Sequence, residues 1–184
     1  MQPEKIGHLL SAEEAFWLNP AERWELVERR IVEVSPVKKR HGRILVRLAR
    51  RLEEHVEAHQ LGEVYAGDVG FILRRDPDTV RAPDLAFIQQ ARLPEVEEET
   101  FSSVVPDLAI EILFPSDRWA DVERKIADYL RAGVVSVWTV DPSRNEVRLH
   151  RQGEAARVLD AGDQLSEPDV LPGFTPSVAS LFSD

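Results

Sequence analysis

The chain has 184 residues, 43% hydrophobic and 30% charged, with a formal net charge of −10 and no cysteine. That length suits one domain able to bury roughly 70% of its unfolded surface, and the composition is globular rather than disordered. Without cysteine there are no disulfides, thiolate zinc sites or cysteine nucleophile. No apolar run approaches the ~20 residues of a membrane span, and no signal-peptide core opens the chain, so a cytoplasmic protein is expected. The negative charge argues against indiscriminate coating of nucleic acid and leaves room only for a local basic face.

Taken in order, residues 11–19 predict a short helix, with Ser11 as N-cap and Glu14 completing a capping box. Pro20 is its expected stop. Trp24 to Val27 and Ile31 to Ser35 predict a hairpin across Glu28-Arg29-Arg30. From Lys38 or Arg40 to His59, Ile44, Leu45, Leu48, Leu52 and Val56 recur at helical spacing. Strands then cluster at 63–66, at 69–73 and from Val80 onward into Leu85–Ile88, with a turn at 75–78. Residues 93–100 read as an acidic solvated loop.

Leu108–Leu113 is a near-continuous apolar run, the kind buried on both faces. Asp117 to Arg131 predicts a second long helix with Val122, Ile126 and Leu130 on its apolar face and Gly133 as its stop. Val134–Val140 and Glu146–His150 predict a strand pair, and the tail a loop with a closing helical turn at 178–182. Helix, strand cluster, strand, helix and strand together predict an α/β sheet with helices on its faces.

Chemistry concentrates between Val105 and Gly133. Glu111 lies inside an apolar strand, where a carboxylate is costly to desolvate unless paired or bound to metal. Asp84 opens the strand before it. If the two strands are neighbours, the two carboxylates converge on one cation, with the Ile112 carbonyl as a third donor. Hard oxygen ligands without cysteine suit Mg²⁺ or Mn²⁺.

Lys125 is the only Lys after Lys39, in a chain that otherwise supplies its positive charge as Arg. Three strand residues from Glu111 to Phe114 cover about 10 Å, and eight helix residues back to Lys125 cover about 12 Å. Lys125 therefore falls level with Glu111, able to orient a water or neutralise a phosphate. Tyr129 falls one turn lower, near Asp107 or Leu108. Plain alternatives exist. Lys125 can pair with Asp121 or Asp128 on its own helix, Glu111 with an Arg across the sheet, and His41 can be a surface residue at a helix start. Residues 38–51 carry seven Lys or Arg and no acid, so Lys38, Lys39 and Arg40 offer a phosphate contact.

Several segments carry a family resemblance by their order and spacing. They are Trp-Glu-Leu-Val-Glu (24–28), Ile-Val-Glu-Val-Ser-Pro (31–36), His41, Ala-Pro-Asp-Leu (82–85) and Pro-Asp-Leu-Ala-Ile-Glu-Ile-Leu-Phe-Pro-Ser (106–116). Lys-Ile-Ala-Asp-Tyr (125–129), Gly-Val (133–134) and Val-Trp-Thr-Val-Asp-Pro (137–142) complete the set. Over about residues 20–182 the chain resembles the Uma2 (DUF820) family. The resemblance implies one domain over 1–184 with a restriction-endonuclease-like, PD-(D/E)xK fold: a mixed β-sheet flanked by helices. It further implies a Mg²⁺- or Mn²⁺-dependent endonuclease acting on nucleic acid, DNA by expectation, and by analogy a homodimer.

Asp84 matches the motif aspartate, Glu111 the strand glutamate and Lys125 a lysine displaced onto the next helix. Glu33 and His41 border the implied site. Three departures stand out. Leu113 holds the superfamily's usual lysine position, Phe114 replaces a usual Ser, and Glu28-Arg29 replaces a usual Asp-Gly, so a different hairpin turn is expected. Two rivals follow. A non-catalytic binding or regulatory module with the same fold is consistent with Leu113 and the net charge. A two-carboxylate glycosidase is disfavoured, because the few aromatics fall within apolar segments rather than along a sugar groove.

Overall fold

A six-stranded mixed sheet carries the molecule's centre in the order β10-β9-β8-β7-β6-β3. The computed structural model describes residues 9–18, 23–34, 38–94 and 100–183. Its strands are β3 (Gly62–Ala66), β6 (Leu85–Gln89), β7 (Leu108–Ile112), β8 (Ser136–Asp141), β9 (Glu146–His150) and β10 (Arg157–Leu159). Among the described strands only β7 and β8 run parallel; the helix α3 (Trp119–Ala132) connects them, as a parallel pair requires.

Strand alternation decides which helix each face meets. Leu85, Phe87, Leu108, Ile110 and Ile112 pack with Ile44, Leu48, Leu52 and Val56 of α2 (Lys39–His59). Ala86, Ile88, Ala109 and Val137 pack with Val122, Ile126 and Tyr129 of α3. β7 is buried on both faces, as its apolar run predicts, and Glu111 falls on the α3 side. Gly133 ends α3 in the left-handed region, where a side chain would be strained.

A second sheet, ordered β2-β1-β5-β4, stands apart and is antiparallel throughout. Its strands are β1 (Trp24–Val27), β2 (Arg30–Glu33), β4 (Phe71–Arg74) and β5 (Thr79–Arg81). Leu26 and Val80 join Ala12 and Ala15 of α1 (Ala12–Leu18) in its own small core. The capping box is present: the Ser11 N–H donates to Glu14 and the Glu14 N–H to Ser11 Oγ.

Four expectations change. The run from Val80 into Ile88 divides at Ala82-Pro83, where Pro removes a ladder donor; β5 joins the small sheet and β6 the large one. α3 begins at Trp119 rather than Asp117, because the Asp117 carboxylate instead accepts the Phe114 N–H at 2.7 Å. The Glu28-Arg29 turn takes positive φ at both central residues, the geometry a Gly-containing turn would favour. It is held from outside: the Arg29 N–H donates to the Asp78 carbonyl and the Arg29 side chain to the carbonyls of Leu9 and Leu10. β10 is an element the sequence did not announce. The expected stop at Pro20 and the acidic residues 95–99 lie outside the described residues.

Candidate active site

Antiparallel pairing of β6 with β7 sets Leu85 opposite Ile110. One step further along the same register sets Asp84 opposite Glu111. Asp84 Oδ2 accepts the Ile112 N–H at 2.7 Å and lies 3.0 Å from His41 Nε2. The register thus places the two carboxylates on neighbouring strands at one end of the large sheet.

Glu111 is engaged from α3. Lys125 Nζ lies 3.0 Å from Glu111 Oε1, and the Tyr129 hydroxyl donates to the same oxygen at 2.8 Å. The level inferred for Lys125 is the observed one. Tyr129 is not one turn below the site. Helical side chains lean toward the helix N-terminus, and its long phenol reaches back to the carboxylate.

The small sheet contributes residues that the sequence reading passed over. Glu25 on β1 is buried, and its Oε1 lies 3.0 Å from Lys125 Nζ. Arg81 at the end of β5 lies 2.7 Å from Glu25 and 2.6 Å from Asp128 on α3. The Ala82 N–H also donates to Glu25. Glu25 carried the same signal as Glu111, a lone carboxylate inside an apolar strand. Arg81 carried none, because a single Arg in an Arg-rich chain does not stand out.

Charge in this network follows from burial. Burial pushes the Glu111 carboxyl up to about 7; Lys125 opposes the shift, while the Asp84 and Glu25 charges add to it. Burial acts on Glu25 in the same direction, but Lys125 and Arg81 outweigh it and hold Glu25 below the usual carboxylate range. Burial lowers the Lys125 pKa, yet Glu111 and Glu25 outweigh it and raise the pKa above the ordinary value. Lys125 is therefore a fixed ammonium and not a proton acceptor. Burial, with the Glu111 charge, raises Tyr129 well above its ordinary value and keeps it a phenol donor.

His41 is not the exposed residue of a helix start: it is 3% exposed. Its ring stacks parallel on Phe114, with centroids 4.7 Å apart. Lys38 stands at the N-cap of α2 without a side-chain cap, and Lys39 and Arg40 open the helix on its exposed side. His41 thereby joins this basic helix start to Asp84. Glu33 pairs opposite Trp24, whose face packs toward α1, so its side chain is turned away from the Glu25 face. Toward the other end of α2, His55 and His59 lie side by side, with ring centroids 4.3 Å apart. Among the described residues no group of three or more His, Asp or Glu side chains comes close enough to hold a metal ion.

A mixed sheet with one helix on each face and paired acids at one end is the restriction-endonuclease-like arrangement. Five solved chains match the fold of this chain. One of them is described as a "putative nuclease belonging to DUF820" from Anabaena variabilis ATCC 29413. It is similar with a TM-score of 0.78 and 21% identity, over 94% of this chain and 97% of that one. The Uma2 family, described as "Putative restriction endonuclease", matches residues 9–180, and the chain belongs to that family. No curated protein matches the sequence.

Proposed function

We propose that the chain is a divalent-cation-dependent endonuclease hydrolysing phosphodiester bonds, with DNA as the expected substrate. The observation that carries this reading is the register that sets Asp84 opposite Glu111, with Lys125 held on Glu111. The donor set fits a hard cation. Asp84 receives the Ile112 N–H on Oδ2, and His41 approaches that same oxygen, so both contacts fall on one carboxylate oxygen. The like charge of Asp84 disfavours the charged form of Glu111, and a cation between the two would relieve that. Two protein carboxylates and the Ile112 carbonyl match Mg²⁺ or Mn²⁺ ions that complete their shell with water and phosphate.

Such an ion supplies a lowered water pKa and offsets the charge gathering on the phosphate. The chain's own residues supply position. Ile112 and His41 fix the Asp84 carboxylate, and Tyr129 and Lys125 fix Glu111. Lys125, a permanent cation, orients a water by hydrogen bonding or faces a phosphate oxygen. Lys38, Lys39 and Arg40 offer charge to the neighbouring strand backbone at the α2 start, where the helix dipole adds to it. By analogy with small nucleases of this fold, a homodimer would bring two such sites to two strands.

The test is cleavage of supercoiled plasmid and of single-stranded DNA with Mg²⁺, Mn²⁺ or chelator. Cleavage that needs the ion and disappears in both Asp84→Ala and Glu111→Ala proteins is expected. Activity that persists in those two proteins overturns the assignment.

One observation favours a second reading, a non-catalytic binding module. Glu111, Lys125 and Glu25 already satisfy one another without a cation. Calorimetry separates the two: a folded protein that binds neither Mg²⁺ nor Mn²⁺ supports the module.

A further inference from the structure

Arg23 stands immediately before β1, and its carbonyl accepts the Val34 N–H at 2.9 Å, so the β1–β2 ladder continues through it. Side chains two apart on a strand share a face and sit about 7 Å apart. Arg23 is therefore on the Glu25 face, the face from which the small sheet reaches Lys125 and Glu111. Glu25 is sealed at 4% exposure, whereas the Arg23 side chain is 32% exposed and lies toward solvent on that face.

The Arg23 guanidinium is held from one side. Its Nη2 pairs with Asp68, in the loop after β3. Its Nε–H is buried and has no hydrogen-bond partner among the described residues. A buried donor left without a partner is unfavourable. The carboxylates of Asp84 and Glu111 both act on this guanidinium; burial and the Asp68 pair are the larger influences, and the net effect holds its pKa above the ordinary value. Arg23 thus keeps a partly exposed guanidinium on the Glu25 face, with Asp68 engaging its Nη2. That geometry matches a phosphate oxygen pair better than a point charge would.

We propose that Arg23 binds a phosphate group of the strand held at Asp84 and Glu111, the exposed part of its guanidinium donating to a phosphate oxygen. This rests on the proposed nuclease reading, and its test is separable from it. The probe is thymidine 5′-phosphate, titrated into the full chain with arginine side chains labelled for ¹⁵N–¹H spectroscopy. The Arg23 Nε signal is identified by its loss in the Arg23→Lys protein. The nucleotide is expected to shift that signal, and Arg23→Ala to weaken its binding about tenfold or more, as loss of a charge-assisted contact would. Arg23→Lys, which can keep the Asp68 pair, is expected to bind at an intermediate level while matching the wild-type unfolding midpoint.

An Nε signal that stays put while the nucleotide saturates the protein overturns the proposal. So does wild-type affinity in Arg23→Ala, or a wild-type chain that does not bind the nucleotide. If Arg23 binds the nucleotide but the protein cuts no DNA, only hydrolysis is refuted. If DNA is cut with unchanged KM in Arg23→Ala, only the role of Arg23 is refuted.

Discussion

Glu25 of the small sheet and Lys125 of α3 stand 3.0 Å apart, so the ammonium at the site is held by a carboxylate from outside the large sheet. The superfamily's strand position holds Leu113, which packs against the α3-side core. Lys125 on α3 is instead held by two carboxylates, Glu111 and Glu25, each 3.0 Å from its Nζ.

Glu25→Gln should therefore do two things. It leaves the buried Arg81 with Asp128 alone, and breaking a buried pair of this kind costs about 3–5 kcal/mol. It also frees Lys125 to swing toward solvent. Urea unfolding should show the stability loss, and plasmid cleavage should fall even where the variant is fully folded. Unchanged unfolding would mean that Arg81 is satisfied without Glu25.

The metal-free protein should be most stable near about pH 5, with a decline on both sides. Glu111 has a native pKa of about 7 against an ordinary 4.5, because burial outweighs the help of Lys125. Below 4.5 it is protonated in both native and unfolded chains. Above that the unfolded chain releases the proton while the native chain keeps it, so stability falls as pH rises toward 7. For a shift of this size the loss is on the order of 3 kcal/mol. Glu25 runs the other way: its lowered pKa contributes stability above 4.5 that disappears as the solution is acidified. Urea midpoints in chelator across this range should trace the dome, and Glu111→Gln should flatten its alkaline side. A wild-type midpoint that rises steadily through pH 7 would contradict the burial account of Glu111.

Two copies of Pro-Asp-Leu-Ala show how far the sequence could be read. In both, at 83–86 and 106–109, the Asp stands immediately before a strand, β6 and β7. Nothing local separates Asp84 from Asp107, yet Asp107 accepts the Gln89 N–H at 2.8 Å and pairs with Arg92 at 2.7 Å, a turn lock remote from chemistry. What distinguished Asp84 was its distance along the chain from Glu111, which the register converts into apposition. Helix and strand periods, the capping box and the Gly133 stop were legible because each is written within a few residues. The division into two sheets, the anchoring by Arg81 and the stacking of His41 on Phe114 were not, because each depends on contacts between distant segments.

That contrast is itself testable. Asp84→Asn preserves shape and both hydrogen-bond contacts but halves the acidic pair, so cleavage should be lost with little change in unfolding. Asp107→Asn should do the reverse, costing about 1–3 kcal/mol through a weakened acceptor at a buried turn while cleavage continues. Equal effects of the two substitutions on activity would mean that the register pairing of Asp84 with Glu111 has no functional consequence.

Cation binding should stabilise the native chain and change its pH dependence. An ion between Asp84 and Glu111 favours the ionised form of Glu111, so its benefit should grow as pH rises through about 7, where the metal-free protein is weakening. By mass action, saturation at a hundredfold excess over Kd adds about 2.7 kcal/mol. Thermal unfolding with and without Mn²⁺ at about pH 6 and pH 8 should show the larger gain at the higher pH. Glu111→Gln removes one charged ligand and should abolish most of that gain, whereas Tyr129→Phe, which removes a neutral donor from Glu111, should retain it. A Mn²⁺ gain that survives in Glu111→Gln would place the ion elsewhere on the protein and leave the second, non-catalytic reading as the better account of the site.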